Sequence, residues 1–133
     1  MKPALIIAVC AFGCIVPLGA HHSFAAEYDA NKPIRLNGVV MKVEWMNPHI
    51  YFYLDVKDPK GQTANWAVEG GTPNSLRRRG WGKDSLRIGD QIMVEGFMAK
   101  NGGAHINGRS VMLADGTRLF AASSADDGGP DAK

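Results

Sequence analysis

The strongest pattern in the chain is alternation of apolar and polar side chains at period two, the mark of strands with one buried face. Residues 36–45 alternate, with Val39, Met41, Val43 and Trp45 on one side and Lys42 and Glu44 on the other. Asn47-Pro48 punctuates the run. Residues 50–56 alternate again, Ile50, Phe52, Leu54 and Val56 against Tyr51, Tyr53 and Asp55. Asp58-Pro59-Lys60-Gly61 is a turn, because proline presets φ and glycine accepts a positive one. A third strand covers residues 65–70, with Trp66 and Val68 on one face and Ala67 and Glu69 on the other. Thr72-Pro73 reads as the N-cap and first residue of a short helix over residues 73–79, stopped by Gly80. A fourth strand follows with Ile92 and Val94 facing in, and a fifth lies near residues 109–113. Residues 118–120 add an edge segment.

This order predicts a mostly β domain: a small five-stranded OB-like Greek-key barrel with one short helix between strands 3 and 4. Gly38, Gly70 and Gly96 lie in or at the ends of strands, where bending is easiest. An open sandwich uses the same alternation and is the alternative. The barrel domain spans residues 34–120, after a polar N-terminal arm at residues 21–33. Residues 121–133 are rich in Ala, Ser, Asp and Gly without period, and read as a disordered tail.

The first twenty residues are of another kind. Lys2 precedes an apolar run from Ala4 to Val16, then Pro17 and a small-residue ending, Leu18-Gly19-Ala20. That is the order of a cleavable signal peptide. The run is shorter than the roughly 20 residues a membrane-spanning helix needs. The expectation is export to the periplasm or outside, with no membrane span after cleavage. A lipoprotein would need Cys14 as its anchor, but Ala11-Phe12-Gly13 puts a bulky ring where small residues are wanted.

Export changes the reading of the cysteines. Cys10 and Cys14 both lie in the signal, so the exported chain has no disulfide, thiol nucleophile or thiolate ligand. A net charge of +2, with both signs interspersed, shows no basic stripe. Nucleic acid is therefore not an expected partner; a small ligand or a periplasmic protein is.

All four histidines, His21, His22, His49 and His105, fall in the exported chain. Cleavage after Ala20 makes His21 the N-terminus, so its α-amine and imidazole can chelate one cation. His22 adds a second imidazole, and the peptide nitrogen between them also binds copper(II). Nitrogen-rich ligation of this kind suits Cu(II), or another transition metal such as Ni(II), better than Ca(II) or Mg(II). His49, after Asn47-Pro48, stands on a turn able to approach the arm. His21, His22 and His49 are thus the candidate metal ligands, with copper the candidate metal; His105, in a glycine-rich turn, is a weaker one. Tyr51 and Tyr53 form the second candidate, an aromatic outer face for a glycan, peptide or protein. Arg77, Arg78 and Arg79 fan around a helix and cannot converge on one anion. Glu44, Glu69 and Glu95 fall on polar strand faces and read as solvated. No nucleophile elbow, phosphate loop or zinc-protease motif is present, so a binding module is expected rather than an enzyme.

Several runs carry a resemblance. They are His21-His22-Ser23-Phe24-Ala25-Ala26-Glu27-Tyr28-Asp29, Val43-Glu44-Trp45-Met46-Asn47-Pro48-His49, Asn65-Trp66-Ala67-Val68-Glu69 and Arg79-Gly80-Trp81. Together they resemble a bacterial family of small secreted proteins, domain of unknown function family 6152. The resemblance implies an exported bacterial protein and no particular activity.

Overall fold

A computed structural model describes residues 24–121. Residues 1–23, which include the expected signal peptide, His21 and His22, and residues 122–133, the expected tail, lie outside the described residues. The chain runs α1 (Phe24–Glu27), β1 (Tyr28–Glu44), β2 (Tyr51–Lys57), β3 (Thr63–Glu69), α2 (Pro73–Arg78), β4 (Gln91–Ala99), β5 (His105–Leu113) and β6 (Arg118–Phe120). One sheet holds all six strands in the order β3-β2-β1-β4-β5-β6.

The 17-residue β1 organises this sheet. Its first half pairs with β4 and its second half with β2, and Gly38 and Val39 pair with both. β2 approaches so closely there that a Cβ on Gly38 would lie 2.8 Å from the Asp55 carbonyl oxygen. The sheet curls until β3 meets β5 in parallel, over Ala67 with His105, Val68 with Ile106 and Glu69 with Asn107. This parallel contact uses the last three residues of β3 and the first three of β5; beyond it β6 pairs with Ser110, Val111 and Met112. The expected five-stranded barrel is thus a six-stranded, mostly antiparallel sheet that meets itself at one end. The short helix between strands 3 and 4 is present as α2, and α1 is an addition.

The inward face of β2 is as the alternation predicts: Phe52 and Leu54 are fully buried, with Ile50 just before the strand. They pack with Val40, Val68, Leu76, Val94, Ile106 and Val111. Each such side chain contributes about 1.5–3 kcal/mol on leaving water. On β1 and just past it the predicted facing holds for Val43 and Trp45, which pack against the core, and fails before them. Val40 is buried and Met41 is 45% exposed, because the register shifts between Val40 and Lys42. A bulge inserts one residue and exchanges the two faces. β1 also begins at Tyr28, inside the stretch read as an arm. Phe24, Tyr28 and Ala99 form a small second core there, with Phe97 against it.

α2 begins as its sequence predicts, with the Thr72 hydroxyl accepting from the Ser75 amide at 3.1 Å. It buries Leu76, and Trp81 after it is buried with its indole donating to the Phe120 carbonyl at 2.9 Å. Arg77 lies over the Trp45 ring, 5.7 Å from its centroid, so this arginine is spent on packing.

Candidate functional site

Four strand ends converge where β3 meets β5. β1 starts there with Tyr28, β2 with Tyr51 and β5 with His105, while β3 ends there with Glu69. His49 adds a fifth side chain from the loop before β2. The register makes this meeting necessary, since Tyr51 pairs with Glu69 across β2 and β3. His105 pairs with Ala67 on the same edge.

Glu69 is the centre. It is 6% exposed, which overturns the reading of it as a solvated carboxylate. Alternation places it outward correctly; the N-terminal turn then covers that part of the outer face. Phe24 stacks on Tyr28, with ring centroids 5.7 Å apart, and Tyr28 is itself buried. The Tyr28 hydroxyl donates to Glu69 Oε2 at 2.6 Å, and the Tyr51 hydroxyl donates to the same oxygen at 3.0 Å. The single Tyr28 proton is committed to the carboxylate. Its oxygen therefore accepts from His105 Nε2, 2.9 Å away. In neutral His105 the free lone pair is then on Nδ1. The Tyr28 and His105 rings meet edge to face at 5.4 Å.

His49 flanks the other carboxylate oxygen, with Nδ1 3.7 Å from Glu69 Oε1. That nitrogen is also 3.0 Å from the Gly70 carbonyl, which only accepts, so Nδ1–H donates. The lone pair of neutral His49 is left on Nε2. The ring is 14% exposed at its side chain, held yet accessible.

Both phenols at Glu69 are pushed well above the usual tyrosine range. For Tyr28 the causes are burial first and then the hydrogen bond to Glu69. For Tyr51 they are burial first and then the Glu69 charge. Tyr53 is raised chiefly by its hydrogen bond to Glu44, at 2.9 Å. A folded-state pKa above the unfolded one means stability that is complete below the unfolded value of about 10 and lost above it. The expected titration therefore shows no tyrosinate absorbance from Tyr28 and Tyr51 near pH ~10 while the circular dichroism stays native. Their ionisation should appear together with alkaline unfolding. All three tyrosines of the chain ionising near pH ~10 in the folded state would refute this network.

Of the predicted site residues, His49, Tyr51 and Tyr53 are described. Tyr51 and Tyr53 stand on the outer face as expected, but both hydroxyls are engaged, by Glu69 and Glu44. Glu44 also takes a hydrogen bond from Lys42, which with Tyr53 holds its carboxyl below the usual range. Tyr53 stands apart from the Glu69 cluster. His105 proves to be a strand residue in that cluster. Tyr28 carried no expectation beyond its place in a recurrent run. Among the described residues, no group of three or more His, Cys, Asp or Glu side chains is disposed to hold a metal. Nor is any described helix long and apolar enough to cross a membrane.

The model of one protein family matches residues 10–108. The chain belongs to this family, a family of unknown function (DUF6152). The matched span of DUF6152 takes in all five cluster residues together with His21 and His22. No curated protein matches the chain. Among solved structures it is similar to a mitochondrial single-stranded DNA binding protein, Rim1, from S. cerevisiae. The identity is 13% and the TM-score 0.49, over 62% of this chain and 94% of that one.

Proposed function

We propose that this protein is an exported binding module, not an enzyme, and that its ligand is a copper ion. The ligands are the α-amine and imidazole of His21, the imidazole of His22 and His49 Nε2. The observation that carries this reading is the setting of His49. Its Nδ1–H is committed to a backbone carbonyl, the arrangement that fixes a histidine tautomer and turns the other nitrogen to a metal. Further support comes from covalent reach. Phe24 is anchored on Tyr28 beside His105 and Glu69, and only Ser23 separates it from His22. At roughly 3.5 Å per residue, the His22 backbone lies within about 7 Å of Phe24. On this reading His49 supplies one ligand and His21 and His22 supply the others.

The strand order and the β3–β5 pairing favour an OB-like reading of the fold. In such folds the strand 2–3 face and the loops after strands 1 and 4 carry the ligand. The Glu69 cluster lies at that end. A second reading uses the same face without metal. Tyr51 and Tyr53, their hydroxyls fixed, present pre-oriented rings to a glycan, peptide or protein. Unchanged ligand binding by Tyr51→Ala plus Tyr53→Ala would exclude it.

The copper reading is tested on the exported protein. Intact mass should place the N-terminus at His21, and copper(II) titration should give a nitrogen-rich paramagnetic resonance spectrum that His21→Ala plus His22→Ala abolishes. An N-terminus beyond Ala26, which removes both histidines, or a spectrum indifferent to the two substitutions, ends it.

A further inference from the structure

The opposite end of the sheet carries a cavity that the His49 reading does not use. It lies outside the three-residue contact of β3 with β5, where β1 bulges after Val40. The cavity holds about 1010 Å³, and its lining includes Val39, Met41, Met93 and Met112, with Asp55 and Lys57 among the polar residues. Three of the chain's six methionines thus share one surface. Met93 stands directly opposite Met112 across β4 and β5. Such partners have Cβ atoms about 4.5–5.5 Å apart, within which two flexible thioether arms readily converge. All three side chains have access to solvent, and Met41 is the most exposed.

Outward strand positions ordinarily carry β-branched, aromatic or polar residues. Methionine adds one distinct property there, a soft sulfur donor that selects Cu(I) and similar ions over hard or borderline ones. A thioether has no proton to lose, so its affinity does not follow pH as a histidine site does. The exported chain lacks cysteine, which leaves these thioethers as its soft donors.

We propose that Met93 and Met112 bind a soft monovalent cation, Cu(I) or its analogue Ag(I). The site is separate from the His21, His22 and His49 reading, and either can fail without the other.

Ag(I) is the probe, because it needs no reductant. The protein is used with His21→Ala, His22→Ala and His49→Gln in place, so that the histidines of the copper reading do not compete. Titration should shift the ε-methyl resonances of Met93 and Met112. Binding measured by calorimetry should be unchanged between about pH 5.5 and 7.5, a range in which histidines titrate. Met93→Leu plus Met112→Leu preserves apolar volume, and a native circular dichroism spectrum checks the fold. This pair should weaken Ag(I) binding by roughly tenfold or more. Unshifted methionine methyls, or equal affinity in the leucine variant, overturns the proposal.

Discussion

Glu69→Ala is expected to cost about 3 kcal/mol of folding stability, because it removes the charged acceptor of two phenol hydroxyls and leaves a void in a buried cluster. Tyr28 is 2% exposed, and its hydroxyl proton has Glu69 as its acceptor at 2.6 Å. Removing the carboxylate leaves that proton only His105 Nε2, 2.9 Å away, which accepts it only after the imidazole moves its own proton to Nδ1. It also frees the Tyr51 hydroxyl and opens a void beneath Phe24. The penalty for a buried, unsatisfied polar group runs about 1–3 kcal/mol, to which the void adds. Tyr28→Phe removes the hydroxyl itself, so the double variant should lose less than the two single losses summed. Urea denaturation of the four proteins measures this. A loss below about 0.5 kcal/mol for Glu69→Ala is what a solvated surface carboxylate gives, and it would contradict the buried cluster.

Gly96→Ala acts on the frame that brings His105 to Glu69. A Cβ at Gly96 would stand 2.1 Å from the Asn107 carbonyl oxygen and 3.0 Å from its carbon. Both atoms are backbone, so no side chain can yield. β4 and β5 must separate where their register already shifts, between Glu95 and Gly96. The expected cost is about 3 kcal/mol or more, which for a domain of this size lowers the melting temperature by roughly 15 °C. Gly82→Ala is the control, since nothing lies within 4 Å of its added Cβ. Equal melting temperatures for the two variants would show that the strands do not approach this closely.

Much of the fold was legible because period two survives wherever a strand runs regularly. Ile50, Phe52, Leu54 and Val56 share the inner face they were assigned, and residues 118–120 form β6. Thr72 and Pro73 start α2 for the expected capping reason. Met41 was misassigned because a bulge carries no residue signature in Val40-Met41-Lys42. β6 is legible as an edge segment, whereas the three-residue contact of β3 with β5 has no mark in the sequence. The site was half legible. His49 and Tyr51 could be singled out by residue type and place. Glu69 could not, since alternation reports which face a residue occupies and not what later covers that face. The covering comes from Phe24 and Tyr28, distant in sequence, and only the pairing of β3 with β5 adds His105. Tyr28 and Glu69 stand in runs that carry the family resemblance, but nothing in the sequence indicates that those runs meet.

The most direct test of the account is the copper(II) spectrum of the exported protein with His49→Gln. The side-chain amide keeps a donor for the Gly70 carbonyl and removes the Nε2 ligand. The account expects the resonance parameters to move toward a less nitrogen-rich site and the affinity to fall by roughly tenfold or more, with the native fold retained. A spectrum and affinity identical to those of the unaltered protein would contradict it.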